Sequence, residues 1–240
     1  TVTALRAGKH TKTDLDNSDS ARPGMPSKQT TYSAGTTIKS ISYFTASWVA
    51  DEWQVSSIET MDTTSDVTVT ALRAGKHTKT DLDNSDSARP GMPSKQTTYS
   101  AGTTIKSISY FTASWVADEW QVSSIETMDT TSDVTVTALR AGKHTKTDLD
   151  NSDSARPGMP SKQTTYSAGT TIKSISYFTA SWVADEWQVS SIETMDTTSD
   201  VTVTALRAGK HTKTDLDNSN AARPGMPSKQ TTYSAGTTIK

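Results

Sequence analysis

The sequence predicts an all-β protein, a tandem array of small barrels or small sandwiches with a 67-residue period. Three observations carry that expectation. The string "TVTALRAGKH" begins at Thr1, Thr68, Thr135 and Thr202, so the spacing is constant. Within each period, short β-branched segments alternate apolar and polar residues, and turn formers separate them. No helical apolar stripe of ten or more residues occurs anywhere.

The chain holds three full periods plus 39 residues. The copies differ only near the end, where Asn220 and Ala221 replace the Asp and Ser of the earlier copies. Identity this complete points to recent duplication, recombination between copies or a synthetic gene. A phase that ends on a full period makes 1–39 a partial repeat and 40–106, 107–173 and 174–240 the modules. Phases starting at Thr1 or near Ala21 stay open, and a fragment of a longer array accommodates all three.

The elements follow in order along one interior period. "DVTVTALR" (66–73) alternates and reads as a strand with Val67, Val69 and Ala71 on one face. Residues 74–95 read as a long loop, rich in Gly, Pro, Asp, Asn and Ser. An Ala-Gly turn then joins two Thr-rich segments, and Ile105 to Phe111 forms a further strand. A turn around Ala117, Asp118 and Glu119 connects it to the strand 119–128. There Trp120 and Val122 share a face before the phase shifts to Ile125, as a bulge produces.

Each period carries ten Leu, Ile, Val and Phe, five aromatics, twelve Thr and ten Ser. With so few aliphatics, the core is expected to rest on aromatic rings under a Thr/Ser-rich surface. The net charge of −2 and the scattered Lys and Arg argue against a nucleic-acid partner. The absence of cysteine excludes disulfides and thiolate metal sites. No run of about 18 apolar residues is present, so no membrane insertion is expected.

"ARPGMPSKQTTYSAGTTIKSISYFTASWVADEWQVSS" (21–57) resembles the bacterial SH3-like modules of cell-wall hydrolases and surface proteins. Arg22, Pro26, Ser27, Gly35, Ile38, Trp53 and Val55 carry the likeness, in the family's order. The resemblance implies SH3-like barrels of five to seven strands. It also implies a cell-wall polymer or extracellular polysaccharide as partner, bound through an aromatic groove. By that analogy the groove residues are Tyr43, Trp48 and Trp53, with their copies Tyr110, Trp115, Trp120, Tyr177, Trp182 and Trp187. The competing role for the Trp residues is packing, and one buried and one exposed per pair is the expectation.

Other motifs carry less. "DLDNSD" (14–19) spaces acids as a cation loop does, but the EF-hand pattern needs Gly and Glu where Asp19 and Met25 stand. A polar turn with local hydrogen bonds explains it. "RAGKHTK" (6–12) lacks the first Gly of a phosphate loop. His10 is the single His of its period, too few for a zinc cluster, and no nucleophile elbow accompanies it.

The predicted function is therefore non-catalytic, with no enzyme activity, no cofactor and no metal. Tandem units bind bacterial wall or extracellular glycan by avidity, in a secreted protein of the bacterial cell surface or wall. A structural stalk without a ligand of its own, and an engineered symmetric repeat protein, are the alternatives.

Overall fold

A computed structural model describes residues 7–17, 24–49, 51–85, 91–116, 118–151, 158–183, 186–219 and 225–240. The chain divides into two compact units, Thr1–Tyr110 with Asp129–Asp133, and Phe111–Met128 with Val134–Lys240. In the first unit the strands are β1 (His10–Asp16), β2 (Met25–Ala34), β3 (Thr37–Val49), β4 (Glu52–Asp62), β5 (His77–Asp83), β6 (Met92–Ala101) and the first half of β7 (Thr104–Val116). One short helix, α1 (Val69–Ala74), lies between β4 and β5. The second unit repeats the pattern with β8 (Glu119–Asp129), α2 (Val136–Ala141), β9 (His144–Asp150), β10 (Met159–Ala168), β11 (Thr171–Val183), β12 (Glu186–Asp196), α3 (Val203–Ala208), β13 (His211–Asp217), β14 (Met226–Ala235) and β15 (Thr238–Ile239).

The all-β class and the 67-residue period are as the sequence predicts. Strand pairing departs from a closed bead. Within each unit every strand pairs antiparallel with its neighbours in chain order. The last strand of one repeat, β4, pairs with the first of the next, β5, through Ser57↔Asp81 to Thr60↔Thr78. Likewise β12 pairs with β13. A barrel or sandwich closed within one repeat would need β4 to return to its own repeat. Instead its outer edge is satisfied by the following copy, which removes the exposed edge without closure.

Three local features follow from local chemistry. Gly35, at φ 54, sits in the left-handed region and turns β2 into β3 with Ala34 opposite Thr37. Asp51, at φ 62, makes the β3–β4 turn, and Asp tolerates that region better than branched residues do. The register slips between Thr45/Ser57 and Ala46/Val55, so Ser56 is the extra residue of a bulge. All three stand where the sequence placed a turn or a phase shift.

The segment read as a strand at 66–73 is instead a connector that ends in α1. Thr68 caps the helix, its Oγ1 accepting from the Ala71 N–H at 3.3 Å. Ala71, Leu72, Arg73 and Ala74 are strong helix formers. Period-2 alternation over "VTVTA" lost to the cap and to the burial of Leu72, which is 0% exposed. The segment 74–95, read as loop, contains β5 and the start of β6, while 86–90 lie outside the described residues.

The connector covers one face of the sheet. On β3 and β4, Ile41, Tyr43, Glu59 and Met61 share that face by register. Tyr43 donates its hydroxyl to the Val67 carbonyl at 2.6 Å. Arg73 donates Nε–H to both Glu59 carboxylate oxygens at 2.8 and 2.9 Å. Lys28, opposite Tyr43 on β2, pairs with Asp66. Met61 approaches Gly75 so closely that a Cβ there would stand 2.5 Å from its Cε. Among the described residues the fully buried side chains are aliphatic: Ile41 and Leu72, and their copies Ile108, Leu139, Ile175 and Leu206. The expected aromatic core is therefore a correction. Burial of Leu72 and Ile41 contributes about 1.5–3 kcal/mol per side chain, while the described Phe, Tyr and Trp rings are half-buried or exposed.

Candidate functional site

Among the described residues, no fully buried side chain stands on the opposite face of the β3–β4 hairpin. Ser42, Phe44, Ala46 and Trp48 of β3 alternate onto it, with Thr60, Ile58, Val55 and Trp53 of β4 opposite them in that order. Every residue of this set is half-buried except Trp48, and none is buried. Apolar side chains there are only half-buried, next to Ser and Thr hydroxyls. Ser42 and Thr60 bond each other there at 2.8 Å.

The two Trp side chains meet because the β3–β4 turn has two residues. Trp48 and Trp53, five apart in sequence, become direct cross-strand partners. Their ring centroids lie 5.7 Å apart with planes at 73°, an edge-to-face pair. Trp115 with Trp120 and Trp182 with Trp187 repeat this at 5.7 and 5.6 Å. Trp48, Trp115 and Trp182 are each 57% exposed, whereas Trp53 is half-buried. Each pair therefore presents one ring to solvent and uses the other as its backing.

Tyr43 does not join them. It points to the covered face, where its hydroxyl is engaged by Val67, and Tyr177 is held in the same way by Val201 at 2.6 Å. Lys28 lies 5.7 Å from the Tyr43 ring centroid, Lys95 5.9 Å from that of Tyr110 and Lys162 6.0 Å from that of Tyr177. The hydrogen bond to Asp66, ahead of the opposing effect of burial, raises the Lys28 pKa above the usual lysine value. These three Tyr residues fasten the connector or its neighbours rather than forming a groove with the Trp pairs.

Asn84 is a residue whose importance the motif reading missed. It is 9% exposed, donates Nδ2–H to the Val55 carbonyl at 2.7 Å and accepts from the Gly91 N–H at 2.9 Å. It ties the loop after β5 to the Trp-bearing hairpin of the preceding repeat. Asn218 does the same with Val189 and Gly225 at 2.8 and 2.9 Å. The signal in the sequence was the Asx-rich string itself, whose Asn makes local and cross-repeat bonds together. Ser18 and Asp19 of that string in the first copy lie outside the described residues. His10 stacks on Tyr32 at 4.5 Å and its Nδ1 meets the Gly8 carbonyl at 3.0 Å.

Among the described residues, no group of three or more His, Asp or Glu is gathered as metal ligands, and no helix is long and apolar enough to cross a membrane. No protein-family model matches the chain, and no curated protein matches it.

Proposed function

We propose that the protein is a non-catalytic glycan binder, which holds bacterial cell-wall or extracellular polysaccharide at the outer cell surface through repeated weak sites. The observation that carries this reading is the 57% exposure of Trp48 and its copies, on the face opposite the connector. A chain with two Trp per repeat leaves one of them largely in water, backed edge-to-face by the other. A sugar ring presents an apolar C–H face that stacks on such a ring, and nearby hydroxyls, carboxylates and amides take its O–H groups. Three identical pairs raise the retention of a polymer far above that of one site when they engage it together.

The test is retention of the full chain on purified cell walls and on insoluble glucan. Wild type is expected to be retained, and the triple variant Trp48→Ala, Trp115→Ala, Trp182→Ala is expected to pass through while keeping its β-sheet circular dichroism. Equal passage of both proteins contradicts the reading.

A stalk role has one specific observation in its favour. The strand ladder runs from β4 straight into β5, and the connector residues 63–68 contain neither Gly nor Pro, so the repeat joint is stiff. That stiffness serves display of the Trp pairs equally well, and it gives no reason for Trp48 to stand in water.

A further inference from the structure

The chain has no Cys, so its seven Met hold all the sulfur it can oxidise. Three of them, Met61, Met128 and Met195, occupy the same place in successive repeats. Met61 stands opposite Ile41 in register on the covered face, and Met195 stands opposite Ile175. Each sends its methyl to the C-terminal cap of the connector helix. A Cβ on Gly75 would stand 2.5 Å from Met61 Cε, and one on Gly209 would stand 2.6 Å from Met195 Cε. Met128 approaches Gly142 in the same way.

Backbone geometry does not require glycine at that cap. Gly75 has φ −94 and ψ −171, an extended conformation that any residue adopts. The missing side chain provides room for the thioether methyl instead. Gly75 donates its N–H to the Leu72 carbonyl at 3.1 Å, so Met61 rests on the residue that closes the helix carrying buried Leu72. The same contacts run from Met195 through Gly209 to Leu206. Met61 is only half-buried, and it lines a cavity of about 220 Å³ with Asp62, Lys76 and His77. Met195 lines a cavity of the same size with Lys210 and His211. Such a space is far larger than a water-sized molecule needs, so a small oxidant has room beside these side chains.

We propose that Met61, Met128 and Met195 form an oxidation-sensitive latch, which hydrogen peroxide opens by converting them to the sulfoxide and so loosening the connectors from the sheet. The sulfur lone pair attacks one peroxide oxygen, an S–O bond forms at Sδ and the O–O bond breaks. The other oxygen leaves with both protons as water. Sulfur gives up two electrons and the peroxide takes them. The thioether becomes polar, with an oxygen that accepts hydrogen bonds. On the helix side that oxygen finds no free donor. Ile41 is apolar, the Gly75 N–H is given to Leu72, and the Gly75 carbonyl is itself an acceptor, met by His77 Nδ1 at 3.0 Å. The sulfoxide is satisfied by turning towards the cavity, which withdraws the methyl from Gly75. Enzymatic reduction of both sulfoxide epimers resets the latch.

The experiment treats the full chain with dilute hydrogen peroxide, quenches it, and reads peptide masses and amide exchange. Sulfoxide is expected at Met61, Met128 and Met195, with exchange in the connectors 63–76 and 197–210 roughly tenfold faster. Treatment with the two sulfoxide reductases is expected to restore the slower exchange. The triple variant Met61→Leu, Met128→Leu, Met195→Leu keeps the volume and loses the sulfur, and its connectors are expected not to respond. The quadruple variant Met25→Leu, Met92→Leu, Met159→Leu, Met226→Leu leaves only the latch methionines and is expected to respond as wild type does, which decides the matter should the triple variant not fold. Met226, 51% exposed, reports that the peroxide acted. Sulfoxide at Met226 without sulfoxide at the latch positions overturns the proposal, as does latch sulfoxide with unchanged connector exchange. A connector response that persists in the triple variant, or is lost in the quadruple one, overturns it as well.

Discussion

Ile41 and Leu72, both with no exposure at all, belong to different elements. Leu72 comes from the connector helix and Ile41 from the centre of β3. Removing the Leu72 side chain leaves a cavity on a face whose other fully buried apolar group, among the described residues, is Ile41. Leu72→Ala is expected to lower stability by about 2–5 kcal/mol, read as the shift in urea midpoint. Trp48 behaves differently because over half of it is already in water. Its truncation forfeits the edge-to-face contact, about 0.5–1.5 kcal/mol, so loss of binding separates from loss of folding. Asn84 lies between these cases. Asn84→Ala removes both the Val55 and Gly91 bonds and leaves a carbonyl and an N–H unpaired, at about 1–3 kcal/mol. Faster amide exchange confined to the 46–55 hairpin and the loop beginning at Asn84 is the expected signature.

At the scale of elements, the hairpins were legible and the connector was not. Gly35 and Asp51 mark turns because few residues accept a positive φ there. The shift from Val55 to Ile58 revealed the bulge because a strict period of two cannot hold both on one face. Residues 66–73 misled because "VTVTA" alternates as a strand does, while the Thr68 cap and the burial of Leu72 act only in three dimensions. The candidate site was half legible. Tyr43 and Trp48 are five apart on an unbroken strand, so parity alone sends them to opposite faces. Trp48 and Trp53 are also five apart, but a two-residue turn between them makes them partners. Which face the connector covers could not be read from spacing, since it depends on Tyr43, Glu59 and Lys28 gripping residues 66–73. That grip has a pH signature. The Lys28 pKa is raised in the folded state, so its contribution is complete below the unfolded value of about 10.4 and declines as pH rises through the folded value. The difference in urea midpoint between wild type and Lys28→Met is expected to stay constant up to about pH 10 and to shrink above it.

On the scale of the whole molecule, each unit is a ladder in which a strand touches its chain neighbours and the connectors lie on one side. Stability in such an array is a sum of repeat terms and neighbour terms rather than the property of a single core. The same arrangement sets the functional logic. One face spends its few aliphatics on holding connectors, and the other carries a Trp pair at the tip of each full hairpin. Identical Trp hairpins recur every 67 residues along the chain, and repeated sites are what avidity towards a polymer draws on. The most direct test of this two-faced account is hydrogen exchange of the full chain with and without bound cell-wall glycan. Protection confined to the three Trp hairpins, 46–55, 113–122 and 180–189, is the predicted result. Protection of the connectors at 63–76 and 197–210 with the hairpins unchanged would contradict it.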